Sequence, residues 1–240
     1  MSTVNCYPGC GFVDFTNKNL FFLFEIFGEK FYITQTVLST WFVMSVLIIF
    51  AVVVRIKLSK FKDKPTGFQN VVEAIVETIN KFTVSTMGKN LEGFSGYFLA
   101  VFMFIILSNY SGLLGFRPPT ADLATTGALA MSTFALIHIT GIRKAKWGYL
   151  KGYFQPLPFF VVLNVLGELS KPISLAFRLF GNILAGLVIM GIVYQFFPFV
   201  LRFVVPAALH AWLDIFSGGL QAFIFTVLSM TFIAQMAETD

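Results

Sequence analysis

Charge is what this sequence lacks. Lys, Arg, Asp and Glu make up 12% of its 240 residues and hydrophobic residues 57%, with a mean hydropathy of +0.80. A soluble domain carries about 25% charged residues, so too little polar surface is present to coat a globule, and the chain must face lipid. A helical span takes ~20 mainly apolar residues. Roughly five or six spans fit, and no soluble domain of useful size is left over. That argues against a membrane-anchored enzyme with an extramembrane active site. Also missing are a glycine-rich phosphate loop, paired metal ligands and a nucleophile constellation, and His138 and His210 read as isolated. No metal and no cofactor are expected. Only two cysteines occur, Cys6 and Cys10 in CYPGC. They either close a disulfide across the Pro8-Gly9 turn, if that end is extracytoplasmic, or stay free thiols. The first 30 residues lack the basic-then-apolar order of a signal peptide, since Asp14 precedes the aromatic run and Glu25 interrupts it. No internal repeat of the kind that builds transporters from duplicated halves is visible.

What is there is a set of apolar runs at 37–54, 97–114, 123–142, 159–197 and 206–236. The expected fold is an all-α integral membrane protein with about five transmembrane helices. It reads as a single membrane domain over 1–240, with 1–36 as an extracytoplasmic N-terminal segment. The net charge of +5 is no nucleic-acid signal, because the basic residues cluster beside membrane segments. The loops at 55–64 and 143–151 hold nine of the seventeen Lys and Arg residues. Positive loops stay in the cytoplasm, so alternation puts the N-terminus, the 115–122 loop and the 198–206 turn outside and the C-terminus inside. Between the first basic loop and the second span, Phe68, Val71, Val72, Ile75, Ile79 and Phe82 recur at helical spacing. Residues 68–87 therefore read as an amphipathic helix, lying on the cytoplasmic interface or packed on its own membrane core.

The fourth run carries the chemistry. As one helix its roughly 40 residues would span ~60 Å against a hydrocarbon core of ~30 Å, so it is tilted, bent near Pro172, or split in two. Its polar residues Asn164, Glu168, Lys171, Ser174, Arg178 and Asn182 step by four, three, three, four and four, one helix face. A membrane-buried arginine costs between ~3 and more than ~10 kcal/mol and marks a functional site by default. Glu168 is ten residues away, ~15 Å along a helix, too far to pair with it. A local ion pair of Glu168 with Lys171 is the plain alternative to a channel role for Glu168. In the last span His210, Asp214, Ser217 and Gln221 are spaced four, three and four, again one face, and Ser217-Gly218-Gly219 keeps it small for close helix approach. The two stripes face each other or a third partner. Topology puts Asn164 and Glu168 on the cytoplasmic side of Arg178 and His210 and Asp214 on the outer side. That is a layout of two half-channels with a fixed positive charge between them.

FRLFGN at 177–182, preceded by SKP at 170–172 and followed by AG at 185–186, resembles the signature helix of subunit a of F-type ATP synthases. LQAFIF at 220–225 is similar to that family's second signature, and the P-T-A-D turn at 119–122 fits it too. The likeness is strongest over 164–236 and weak before 95. It implies an ion-translocating membrane stator pressed against a ring of c subunits, each with a buried carboxylate. The other implied partners are the peripheral-stalk subunit b, the remaining synthase subunits and the bilayer, and nucleic acid is not among them. Arg178 matches the family's essential arginine, which would discharge the ring carboxylate and block leakage between half-channels. Gln221 matches the glutamine that neighbours it, and Asn182 the asparagine of the same motif. Where many members have an ionisable residue five positions beyond that asparagine, this chain has Leu187; seven residues before the glutamine it has Asp214. The outer channel is thus expected to keep its titratable group on the last helix.

Two other classes compete. A secondary transporter would use Arg178 for an anionic substrate and would need a cavity for it. A scaffold would use the polar stripes only to glue helices together. The family likeness implies an H+ or Na+ pathway, ATP chemistry on other subunits, and a bacterial plasma membrane rather than a thylakoid.

Overall fold

Hydrocarbon supplies no hydrogen bonds, so each apolar run satisfies its own backbone and folds as helix. The computed structural model describes residues 19–26, 29–58, 67–145, 161–196 and 201–238. Cys6, Cys10, the middle of both basic loops and residues 197–200 lie outside the described residues. A short antiparallel hairpin, β1 (Asn19–Ile26) with β2 (Glu29–Thr34), comes first and sets Phe22 opposite Tyr32 and Glu25 opposite Lys30. The all-helical expectation has no place for it, although its aromatic and β-branched residues favour strands.

Helices make up nearly all the rest. They are α1 (Gln35–Leu58), α2 (Phe68–Met87), α3 (Ser95–Tyr110), α4 (Leu123–Ala145) and α5 (Val161–Phe196). A final helix runs as α6 (Leu201–His210), a π segment (Ala211–Ser217) and α7 (Gly218–Glu238). Five spans are long and apolar enough to cross a membrane, and the chain is an all-α integral membrane protein. Each expected apolar run falls on one of them. The fourth is one helix of 36 residues through Pro172, about 54 Å long. Splitting is thereby removed, and tilt or bending remains.

The core forms around α7, which packs against α2, α3, α4 and α5. One cluster joins Val101, Ile105, Ala130, Leu175, Leu179 and Phe225. A second joins Met87, Phe98, Ile137, Met230 and Ile233 at the end where α2 lies. So α2 does pack on its own membrane core. Val72, Thr83 and Met87 are its buried residues, whereas Phe68 and Val71 stay exposed. By contrast α1 buries residues only near its start, Thr36, Ser39 and Val43, and toward its end touches α2 through Phe68, whose ring lies 6.5 Å from Phe50 and 4.6 Å from Lys57 Nζ.

Lipid is as apolar as leucine, so helices associate in it through close packing and polar pairs rather than by apolar burial. Thr133 and Ser229 hydroxyls meet at 3.3 Å across α4 and α7, and Tyr97 and Ser132 at 2.8 Å across α3 and α4. Asp122 caps α4 by accepting the Ala124 N–H at 3.0 Å, and its other oxygen accepts the Thr36 hydroxyl at 3.1 Å, tying α1 to the start of α4. The tightest joint is at Asn109. Its Nδ2 donates to the Gly218 carbonyl at 2.8 Å, and its Oδ1 accepts from Thr120 at 2.7 Å. A Cβ on Gly218 would sit 3.2 Å from Asn109 Cβ, and one on Gly219 would sit 3.2 Å from the Tyr110 hydroxyl. Any larger residue would push these neighbours back by a few tenths of an ångström, so the SGG run gives the close approach it implied.

Asn109→Ala leaves two buried partners unsatisfied, at about 1–3 kcal/mol each. Thermal unfolding in detergent should show a loss of about 2–6 kcal/mol relative to the exposed control Asn90→Ala. A variant as stable as that control would mean the joint does not hold α3 to α7.

Candidate functional site

The six polar residues of α5 share a face, yet their surroundings change along the helix. Near its start Asn164, Glu168 and Lys171 are half-buried. Lys171 Nζ donates to Glu168 Oε1 at 2.6 Å, with the side chains 19% and 15% exposed. The other carboxylate oxygen is buried without a hydrogen bond among the described residues. The local ion pair therefore forms, shielded enough that removing either partner would strand a charge. Lys171 also stands 5.6 Å from the Phe232 ring centre, within cation–π reach. His138 is not isolated: its ring lies 4.1 Å from that of Phe134, and Glu168 and Lys171 are its charged neighbours across α4 and α5.

At the centre the stripe leaves the interior. Leu175, Ala176, Leu179 and Ile183 take the core side, about one residue's rotation from Ser174 and Arg178, which are exposed. The sequence left open whether this stripe faces the last helix or a third partner. Arg178 lies on a surface shared with Ile173 and Phe177, 55% and 57% exposed. It is the eighteenth of the 36 residues of α5 and makes no hydrogen bond or ion pair with any described residue. Gln221 is buried on α7, and its Nε2 has no partner among the described residues.

Beyond Arg178 the two long helices are pinned together. Ser217 Oγ donates to Asn182 Oδ1 at 2.9 Å, so two of the sequence-predicted residues meet directly. Four residues further along each antiparallel helix, Arg178 and Gln221 come to the same level. Past this joint a cleft of about 460 Å³ opens at the end where α1, α4 and α6 begin. Its polar wall includes Asn182, Tyr194, His210, Asp214, Asn109 and Arg117. Leu187 supplies apolar wall. His210 is not isolated either. Its Nδ1 lies 2.5 Å from Asp214 Oδ2, and its Nε2 3.2 Å from the Tyr194 hydroxyl.

The π segment explains how one helix serves both the cleft and the core. Its wider turn holds an extra residue and re-aims the side chains beyond it. His210 and Asp214 face the cleft at its start, and Gln221 is buried past its end. A wide turn also disturbs the backbone ladder, and donors arrive from α3: the Tyr110 hydroxyl reaches the Ile215 carbonyl at 3.4 Å, beside the Asn109 bond to Gly218. Sequence reasoning missed Tyr194, Asn109 and Arg117. Tyr194 had a signal, since steps of four from Asn182 arrive at it. Asn109 and Arg117 had none beyond being polar in an apolar setting. Among the described residues no group of three His, Cys, Asp or Glu is placed to hold a metal.

A family model described as "ATP synthase A chain" matches residues 37–234. "ATP synthase subunit a" of Moorella thermoacetica is 38% identical over 208 residues, covering 86% of this chain and 92% of the relative. "ATP synthase subunit a, sodium ion specific" of Propionigenium modestum is 34% identical over 220 residues, covering 85% and 74%. "ATP synthase subunit a" of Trichlorobacter lovleyi is 33% identical over 232 residues, covering 95% and 96%.

The cleft and the Glu168 pair sit at opposite ends of the bundle. In a background with Cys6 and Cys10 replaced by serine, thiols introduced by Tyr194→Cys and Asp214→Cys should react with an impermeant reagent from one side of sealed vesicles. One introduced by Glu168→Cys should react only from the other. Labelling of 168 and 214 from the same side would contradict this geometry.

Proposed function

The chain belongs to the ATP synthase A chain family, and from that premise we propose that it is the ion-translocating stator subunit of a rotary ATP synthase. As a member of that family it works with the other subunits of the complex. On our reading its partners include a ring of c subunits against the Arg178 face and the peripheral-stalk subunit b. The basic loops argue for an outer N-terminus, a cytoplasmic C-terminus and residence in a bacterial plasma membrane.

The observation that carries the reading is Arg178, exposed and unpaired among the described residues at the midpoint of an apolar helix. Lipid is an untenable neighbour, at ~3 to more than ~10 kcal/mol. A carboxylate on an adjoining subunit would supply what is missing. At 4 Å and an effective dielectric constant of about 20 the attraction is about 4 kcal/mol, and each 1.36 kcal/mol lowers the pKa of that carboxylate by about one unit. Arg178 would thus favour the ionised ring carboxylate, so that the ion departs, and would repel cations leaking past it. Asp214, with His210, Asn182 and Ser217, forms the outer approach. Asn164 and Glu168 form the cytoplasmic one, and Ser174 and Gln221 flank the centre. The cleft beside Asp214 supports the outer half-channel. The buried, unpartnered Glu168 oxygen supports a polar approach on the other side.

Arg178→Ala should abolish ATP-driven ion pumping by the reconstituted complex while the subunits remain assembled. Pumping near the wild-type rate in an assembled variant would end the gate assignment. Asp214→Asn should slow pumping at least tenfold and leave ATP hydrolysis by the detached soluble sector unchanged. Unchanged flux across mildly acidic to mildly alkaline pH would remove Asp214 from the path.

A further inference from the structure

We infer that Thr120, in the P-T-A-D turn, is a positioning residue for ion passage: through Asn109 it fixes the π segment of the last helix and so sets Asp214 and Ser217 against α5. The inference rests on the stator reading. It gives a task to a turn that has no other part in that reading.

The turn is built as a joint. Pro119, Thr120 and Ala121 are all buried, and the short helical turn they form touches α1, α3, α4 and α5. Arg117 and Pro118 belong to the cleft wall, whereas Thr120 is fully buried and does not. Any effect it has on ion passage must therefore travel through its neighbours. Its hydroxyl donates to Asn109 Oδ1 at 2.7 Å, and Asn109 Nδ2 donates to the Gly218 carbonyl at 2.8 Å. A carbonyl can only accept, so the NH2 end of the amide must face Gly218 and the oxygen end must find a donor elsewhere. Thr120 is that donor. Without it a buried amide oxygen is stranded, and nothing fixes the sense in which the amide is turned.

What the amide holds is the peptide on which the wide turn closes. The Gly218 N–H reaches back to the carbonyls of Ile215 and Leu213, and the longer of these, over five residues, is the spacing of a π turn. Immediately before it Ser217 donates to Asn182 Oδ1 at 2.9 Å, and Asp214 stands in the cleft wall one turn earlier. A regular α-helix is the ordinary alternative for such residues, and adopting it would rotate Asp214 and Ser217 relative to the buried face of α7. Asn109 opposes that rotation at close quarters, since a Cβ on Gly218 would lie 3.2 Å from its own Cβ. A change at Thr120 is thus carried through two hydrogen bonds into the wall of the outer approach.

The test uses the complete synthase in sealed vesicles, with Cys6 and Cys10 replaced by serine. ATP-driven ion pumping is one readout. The other is the rate at which Asn182→Cys and Ser217→Cys, introduced together, form a disulfide on mild oxidation, which reports the placement of the π segment against α5. Thr120→Val keeps the shape of the side chain and removes only its hydroxyl. It should slow pumping at least fivefold and disulfide formation at least threefold, and Thr120→Ser should bring both back to within twofold of wild type. A Thr120→Val complex that matches wild type in either readout overturns the inference and leaves the stator reading standing. Should that variant fail to assemble, Gly218→Ala takes its place: it presses on Asn109 from the other end of the bond and should slow both, and unchanged values overturn the inference. A wild-type complex that pumps no ion overturns the stator reading and the claim for ion passage with it.

Discussion

A guanidinium cannot be left against hydrocarbon, and much of this molecule is organised around that constraint. The α5 helix commits Leu175, Ala176, Leu179 and Ile183 to the core. Arg178, about 100° round the helix from Leu179, is left on the outer surface. Its length, 36 residues, is about twice what a span requires. The excess sets polar groups well to either side of the charge, with Glu168 ~15 Å away along the axis. A helix of ordinary length would bring those groups toward the bilayer surfaces and shorten the barrier between them.

The last helix supplies the second half of the arrangement. It must stand in the middle of the bundle and still line a wet cleft, and these demands call for different faces. The π segment reconciles them by changing the helix phase between Asp214 and Gln221. Such a turn is tolerable only where outside donors attend its carbonyls. Asn109 and Tyr110 do so from α3, and Gly218 and Gly219 let them come close. The glycine pair, the asparagine in an apolar run and the wide turn are therefore one device. Its effect is to hold Asp214 and Ser217 at fixed positions opposite Asn182.

Much of this was legible in the sequence. Composition and run length set the number of spans, and the Asn164-to-Asn182 and His210-to-Gln221 spacings identified both polar stripes. The amphipathic period located α2 at the ends it has. Four features were hidden for physical reasons. Periodicity says that residues share a face but not what that face meets, so Arg178 could be read as covered by its own chain when its surface is open. A spacing of four, three and four assumes a regular α-helix, and the π segment changes the phase without changing the letters. His138 and His210 looked isolated although Phe134 and Asp214 stand one helical turn away; Glu168 and Tyr194 reach them from another helix only by packing. The hairpin at 19–34 escaped because its aromatic residues were read against a membrane background.

On the stator reading the two approaches to Arg178 differ in how their carboxylates are held. Glu168 gives one oxygen to Lys171, three residues on along the same helix face, and its other oxygen is buried without a partner among the described residues. That carboxylate can give up the lysine only by a side-chain rearrangement. Asp214 is held by His210, whose second ring nitrogen meets Tyr194 on the neighbouring helix. The Asp214 pair is therefore tied across two helices and opens on the cleft, whereas the Glu168 pair is confined to one helix and shielded. An arginine set between them has an open polar wall toward one end of the bundle and a closed ion pair toward the other, so the two approaches cannot be equivalent whichever end meets the cytoplasm.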